Sequence, residues 1–566
     1  MQARRRSRSS WLAPALFLLS APTLALAGDG TLDVSLRSSD ALRTVRHWNQ
    51  IAIDTSGLDH TPPGPGDPRA DFAEQLGPGR SSRAMAIVHI AVFDAMNAIA
   101  GRYQSYTELP PAPRGTSVLA AVPQAAHDTL VALYPAQTAA LDQQLAADLL
   151  RLGTSRGKRQ GIDLGRRAAA AILALRQNDG SAHDEPLVDV DWPTSDQPGH
   201  WRQDPVSKLA LALGAHWGEV APFVLESADQ FRVPAPPAMT SADYTQAYEE
   251  VKRVGGDGVA TPTSRTPLQT FVGIFWAYDG TPSLCAPPRL YNQIAATLAR
   301  RMRSDALETA RLFALVNLAM ADAGIAIWES KYHWDFWRPV TGIRESDPGT
   351  GPTGAGDGNP DTVGDPTWTP LGAPASNVSG GVDFTPPFPA YPSGHAGFGG
   401  ALFQILRRYY RTDKSRFTFV SDEYNGVTVG NDGAVRPLKP RMFQSLSQAE
   451  EENGQSRIYL GIHWSFDKTE GIPQGRQVAE WVFDHAFRPR GHGDHGDGHG
   501  DHGAHHEEGH VPVKGQWPES SRAGPPSGAA GDGRGADGDF ARARASVLRR
   551  AGQCARALAG GRAESV

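Results

Sequence analysis

Three short stretches of this sequence gather cations, histidines and backbone donors of the kind that hold an oxyanion. The first, KYHWDFWRP from Lys331 to Pro339, supplies Lys331 and Arg338. The second, YPSGH from Tyr391 to His395, sets Ser393 and Gly394 at the start of a helix through Phe398, Leu402, Ile405 and Leu406, where free backbone N–H groups favour negative charge. The third, SRIYLGIHWSFD from Ser456 to Asp467, supplies Arg457 and His463. Lys331 and Arg338 are seven residues apart, and they share a face with Trp328 if the apolar helix Ala306 to Trp328 runs on through them. Tyr332, Trp334, Phe336 and Trp337 then surround both cations with aromatic surface, where an unpaired ion costs several kcal/mol, so an anion is required. Arg457 and His463, six apart, lie on different faces of a continuous helix, which predicts a break near Gly461. Asp467, one helical turn beyond His463, is placed to hold the imidazole from behind.

The elements that must position these groups are helical. Periodicity predicts helices over Ala41–Ile53, Ser82–Ile99, Val122–Tyr134, Gln137–Leu152, Arg156–Gln177, Ser241–Arg253, Pro288–Arg301 and Asp305–Ser330, with caps at Ser81-Ser82-Arg83 and at Ser304. Between Ser181 and Pro236 the pattern is irregular and anchored by Trp192, Trp201 and Trp217; Gly342 to Pro387, rich in Gly, Pro and Asp, reads as a loop over the pocket.

In their order, Lys-x6-Arg-Pro, Pro-Ser-Gly-His and Ser-Arg-x5-His-x3-Asp resemble the signature shared by vanadium-dependent haloperoxidases and type 2 phosphatidic acid phosphatases. The flanks PPFPAYPSGHAGFGGALFQ and FWAYDG, with Trp328 three before the lysine, are similar to those of fungal-type vanadium chloroperoxidases over about residues 40 to 490. The resemblance implies a mainly α fold of two four-helix bundles with long loops and little strand. It implies a vanadate cofactor bonded through a ring nitrogen of His463, with its oxygens held by Lys331, Arg338, Arg457, Ser393 and the Gly394 amide. His395 would move protons, and Lys331 would polarise bound hydrogen peroxide toward halide, so that hypohalous acid leaves and halogenates small organic substrates. Trp328 and Phe388 correspond to the halide pocket, and a phenylalanine at 388 in place of a histidine suits the chloroperoxidase-like branch. Asp279, by local sequence a turn aspartate before Gly280, matches the carboxylate that pairs with Arg457. His333 reads as a structural histidine on another face.

Two other functions fit parts of the same sequence. A secreted acid phosphatase of this superfamily would use His463 as nucleophile through a phosphohistidine, with His395 protonating the leaving group. A non-catalytic secreted metal-binding protein would rely on GHGDHGDGHGDHGAHHEEGH, residues 491–510, whose histidines and acids suit weak capture of divalent metals.

Composition bounds the rest. The chain has 566 residues, a formal charge of −6 and two cysteines, Cys285 and Cys554, a balance that argues against nucleic-acid binding and against a disulfide framework. Arg4, Arg5, Arg6 and Arg8 precede an apolar run from Trp11 to Ala27, the order of a secretory signal peptide over residues 1–27 that directs export to a periplasm or beyond. Pro14 and Pro22 interrupt that run, and no other stretch reads as a bilayer span. Residues 28–490 then form the catalytic domain, and 511–566 have the composition of a disordered tail.

Overall fold

The computed structural model describes residues 36–302 and 304–490; the leader, the His-rich segment and the C-terminal tail lie outside the described residues. The described chain has one two-stranded sheet, three short 3-10 turns and thirteen α-helices. They are α1 (Ser39–Asp59), α2 (Gly77–Ala100), α3 (Val118–Leu133), α4 (Thr138–Leu150), α5 (Arg156–Leu175), α6 (Ala242–Gly255), α7 (Pro267–Phe275), α8 (Pro287–Arg301), α9 (Ala306–Trp334), α10 (Pro339–Arg344), α11 (Gly394–Tyr410), α12 (Leu446–Tyr459) and α13 (Ser465–His485). Strands β1 (Phe417–Phe419) and β2 (Arg441–Phe443) pair antiparallel, Phe417 opposite Phe443.

α9 is the axis of the molecule. It packs on α1, α2 and α8 on one side and on α11 and α13 on the other, so two helical bundles share it. In the first, α3 contacts α1, α2, α4 and α5; in the second, α11 contacts α12 and α13. α2 and α9 are apolar and long enough to cross a bilayer, contrary to the sequence expectation, but 83% and 100% of their apolar windows are buried by neighbouring helices. Their apolar faces serve as core.

Helix starts differ from expectation for local reasons. α2 begins at Gly77 with Pro78 in its first turn, so Ser81 and Ser82 fall inside it and donate back to Gln75 O and Gly79 O. α9 is capped by Asp305, which accepts from Glu308 N at 2.8 Å, and not by Ser304. Trp201 and Trp217 are buried as expected of anchors. The long connection from α10 to α11 is irregular and reaches over the second bundle, although it starts one turn later than expected because Gly342 and Ile343 are still in α10.

In the second bundle α11 and α13 touch almost backbone to backbone. There is no room for a Cβ at Gly475 against Gly397 O, nor at Gly400 against Ile472 O. This approach brings the N-terminus of α11 onto that of α13, and Ser393 N donates to Asp467 O at 2.9 Å.

Candidate functional site

Lys331 and Arg338 do meet, but not on a shared helix face. α9 ends at Trp334 because Asp335 takes a left-handed φ of 48° and its N–H closes on Lys331 O at 2.8 Å. The chain then turns through an extended corner, held by Trp337 N to Gly199 O (2.9 Å) and Ala390 N to Phe336 O (2.8 Å), and Arg338 arrives as the extended residue before α10. The aromatic surroundings differ too. Phe388 lies 5.1 Å from Lys331 Nζ and 5.0 Å from Arg338 Cζ, and Trp328 lies 5.7 Å from Lys331 Nζ. Tyr332 packs instead on Trp192 and Trp201, and Trp334 donates to Val233 O. His333 is exposed beside the Trp334 ring, away from the site.

Backbone carbonyls anchor both cations, a feature with no signal in side-chain spacing. Lys331 Nζ donates to Pro389 O (2.8 Å) and Ala390 O (3.0 Å); Arg338 Nε donates to Phe388 O (2.9 Å) and its Nη1 to Ile462 O (2.8 Å). One ammonium proton of Lys331 is left over, and Arg338 Nη2 has no partner.

Ser393 caps α11, its Oγ accepting from Ala396 N at 3.5 Å, which leaves the hydroxyl proton free to donate. His395, in the first turn, donates from Nε2 to Ala277 O at 2.5 Å, so Nδ1 is the ring position that can take up or release a proton. Two residues the spacing did not flag hold this turn: Tyr291 Oη and Asn453 Nδ2 donate to His395 O at 2.9 and 2.7 Å. Asn453 stands one helical turn before Arg457, which was a legible clue; Tyr291 offered none.

The break between α12 and α13 falls where expected. Gly461 has φ 75° and packs on Gly255 O with no space for a side chain. Arg457 Nη2 pairs with Asp279 Oδ1 at 2.7 Å, leaving Arg457 Nε and Nη1 without partners. His463 Nδ1 donates to Asp467 Oδ2 at 2.6 Å, and Trp464 N donates to the same oxygen at 3.0 Å. The carboxylate thereby fixes the tautomer, and His463 Nε2 carries the lone pair, which accepts from Arg338 Nη1 at 3.0 Å.

All of these groups are buried: Lys331, Arg338, Arg457, Ser393, His395, His463 and Asp467 are at most 5% exposed. Burial, and then the neighbouring Arg338, holds Lys331 well below the ordinary ammonium range, and burial pulls Arg338 down to about 9. Both histidines are driven below the usual imidazole range, His395 by burial and Arg457, His463 by burial and Arg338. Burial pushes Asp467 up to about 7 against the pull of Lys331 and Arg338, and it raises Asp279 against the pull of Arg457. Three cations against two carboxylates leave positive charge in excess. His395, Arg457, His463 and Asp279 form the floor of a cleft with about 920 Å³ of empty space, its open mouth included; Trp328, Phe388 and Gly394 also line it, the two rings 4.9 Å apart.

A family model described as the VCPO second helical-bundle domain matches residues 311–491, which include all three motifs. Vanadium chloroperoxidase of Curvularia inaequalis is 30% identical over 497 residues, covering 74% of this chain and 78% of that one. The chain belongs to the vanadium-dependent haloperoxidase family. It is an enzyme of the superfamily that unites haloperoxidases with phosphatases. Solved structures of the haloperoxidase family share its helical fold. The first bacterial vanadium-dependent iodoperoxidase superposes with a TM-score of 0.59 at 24% identity, covering 77% of this chain and 95% of that one. The apo form of a bacterial vanadium-dependent chloroperoxidase gives 0.54 at 16% identity, covering 73% and 95%.

Proposed function

We propose that this protein is a haloperoxidase that uses vanadate to oxidise halide with hydrogen peroxide, releasing hypohalous acid that halogenates small organic molecules. The observation that carries the reading is the set of buried donors with no partner, Arg338 Nη2, Arg457 Nε and Nη1, beside a histidine whose tautomer Asp467 fixes so that the Nε2 lone pair faces the Arg338 guanidinium. Orphaned buried donors cost about 1–3 kcal/mol each, and more when charged. A tetrahedral or trigonal oxyanion satisfies them, and vanadate fits because its metal can take one nitrogen bond from His463 while its oxygens meet the cations.

When bound, vanadate would supply Lewis-acid chemistry at a constant oxidation state. Arg338 and Arg457 neutralise its oxygens, and each charge-assisted hydrogen bond contributes about 1.5–3 kcal/mol. Ser393 donates its hydroxyl proton, and the Gly394 N–H lies at the helix start beside it. Lys331, with one donor remaining beyond Pro389 O and Ala390 O, would hold an oxygen of the bound group by a charge-assisted hydrogen bond and withdraw electron density from it. His395 exchanges protons at Nδ1 while Ala277 O keeps its ring oriented. Trp328 and Phe388 form the aromatic wall that receives the halide, and Asp279 keeps Arg457 charged and aimed.

The same proposal places the protein outside the cytoplasm, on the strength of the leader at residues 1–27, with a catalytic domain at 28–490. Its small partners are halide and small organic molecules, with no nucleic acid and no stable membrane span. Weak divalent-metal capture is assigned to residues 491–510, outside the machinery, so removing 491–566 is expected to leave halide oxidation intact.

The test is peroxide with iodide, bromide or chloride, each with and without orthovanadate. Vanadate-dependent oxidation that orthophosphate suppresses by competing for the site is the expected result. Hydrolysis of an aryl phosphate with no gain of halide oxidation on adding vanadate would make the protein a phosphatase instead.

A further inference from the structure

The apolar side of the cleft, with Phe72, Leu76 and Pro78, includes one ionisable ring, His60. His60 caps the C-terminal end of α1, where a cation is favoured. Its ring belongs to a group of buried side chains from four segments: Ser56 and Asp59 of α1, Ser81 of α2, Tyr134 at the end of α3 and Cys285 in the turn before α8. None of these takes part in the anion site. Cys285 itself is fully buried, but His60 and the adjoining Ala286 both line the cleft, so one layer of residues separates the sulfur from it.

Cys285 differs from an ordinary buried thiol in three ways. Its φ of 58° lies in the left-handed region, where glycine is favoured and a side chain is strained. It has a base: His60 Nδ1 donates to Ser56 O at 3.2 Å and Gly77 N donates to Nε2 at 3.3 Å, so the Nε2 lone pair is the one that stands 3.8 Å from Cys285 Sγ. Asp59 Oδ2 lies 3.7 Å from Nδ1, its carboxylate fixed by Glu74 N and Gln75 N, and supplies a countercharge once the ring is protonated. Finally, Tyr134 Oη is buried without a partner, and burial with the nearby Asp59 and Cys285 keeps it protonated, so it is a free donor. Ser56 Oγ and Ser81 Oγ lie 3.1 and 3.6 Å from the sulfur; Ser81 gives its proton to Gln75 O, which leaves Ser56 to donate to a thiolate. Burial opposes charge on both partners, yet His60 and Ser56 lower the thiol and Cys285 and Asp59 raise the imidazole, and Arg289 also faces the sulfur.

The structure assigns Cys285 to a peroxide-reactive thiol site: with His60 as base and Tyr134 as donor, it reduces hydrogen peroxide and is left as a sulfenic acid. This goes beyond the halide reaction and uses neither vanadate nor the cationic floor. Cys285 Sγ gives its proton to His60 Nε2, and the thiolate attacks one peroxide oxygen, so that the S–O bond forms and the O–O bond breaks. The hydroxide released takes the proton from His60 and leaves as water. Sulfur loses the two electrons that the peroxide gains. Tyr134 Oη donates to the departing oxygen. An uncharged oxidant close to water in size suits a thiol one layer behind an apolar wall, whereas a charged one does not.

The test uses the full-length protein without vanadate, so halide oxidation succeeds or fails independently of it. Hydrogen peroxide is added near neutral pH, dimedone traps the sulfenic acid, and peptide mass mapping reports Cys285 separately from Cys554. Cys285 is expected to carry the adduct and to react about tenfold or more faster than free cysteine, because the thiolate is the nucleophile. His60→Gln should slow it by about tenfold or more and Tyr134→Phe by about threefold, with thermal melting confirming that each variant is folded. If His60→Gln does not fold, the rate of the parent and the Tyr134→Phe variant decide. No adduct at Cys285, a rate no faster than free cysteine, or a folded variant of either residue reacting as fast as the parent overturns the site.

Discussion

The two bundles that share α9 use one packing rule for different ends. In the first, Gly157, Gly161 and Gly165 let α5 lie on the backbone leading into and along α3, with no room for a Cβ against Gly115 O or Ser117 O. Its buried carboxylate Asp94 is closed: Tyr106 N (3.0 Å), Thr107 N (2.7 Å) and Thr107 Oγ1 (2.6 Å) all donate to it. In the second bundle the glycines of α11 and α13 permit equal closeness, yet the buried polar groups do not close among themselves. Arg338, Arg457, Asp279 and Asp467 each keep an atom without a partner. The first bundle has single unpartnered atoms as well, Arg46 Nε and Tyr134 Oη, so close helix contact is neutral as to function and what marks the anion site is several incomplete polar groups gathered around one cleft.

The hardest test of that contrast is Arg457→Ala. It removes two free donors and strands Asp279 in the interior, so orthophosphate affinity should fall at least a hundredfold and unfolding free energy by about 3–5 kcal/mol. Asp94→Ala in the first bundle leaves its donors unmet at about 1–3 kcal/mol each, and denaturant unfolding should show that loss with phosphate affinity unchanged. If both variants lost phosphate equally, the division of labour between the bundles would be wrong.

Asp467→Asn sharpens the picture by testing the tautomer. Without a carboxylate to accept from His463 Nδ1, vanadate affinity, followed by the concentration needed to restore activity, should drop about 10–100-fold.

Raising the pH tests the excess charge. An anion raises the pKa of the cations around it, so binding is complete while they are already protonated and takes up protons once they are not. Arg338, at about 9, makes orthophosphate affinity fall as pH rises through about 9, by up to about tenfold per pH unit, and Lys331, held well below its ordinary range by burial and Arg338, acts in the same direction. Affinity that rose as pH passed through about 9 would contradict the assignment.

The smallest effect separates the glycines. Gly161→Ala and Gly471→Ala should each cost about 1–3 kcal/mol by overpacking. Only the second, whose Cβ would sit 2.9 Å from Ser393 O, should also weaken phosphate, by a few fold in titration.

Much of this was legible in the chain itself. Asp467 at one turn from His463, the break at Gly461 and the helix start at Ser393 and Gly394 follow from spacing and residue type, and the helices follow from apolar period. Arg338 was not placed correctly, because the left-handed turn at Asp335 that ends α9 is a single-residue event with no apolar period to announce it. The aromatic faces over the cations were also misassigned: Phe388, 57 residues from Lys331, and Trp328 do what the neighbouring Tyr332 and Trp334 were expected to do, since side-chain direction at a helix end depends on where the chain turns.

Residue types and intervals alone determined that two histidines, three cations and a helix start belong to one chemistry, because hydrogen-bonding capacity and charge are intrinsic to side chains. They also determined the break that frees His463. Only the tertiary structure decided that the cations hang from the carbonyls of Phe388, Pro389, Ala390 and Ile462, that Tyr291 and Asn453 brace His395, and that an apolar cleft stands over the floor. Those contacts join segments up to more than a hundred residues apart, and a backbone carbonyl is the same group at every position, so nothing in residue identity can select which one a distant ammonium will find.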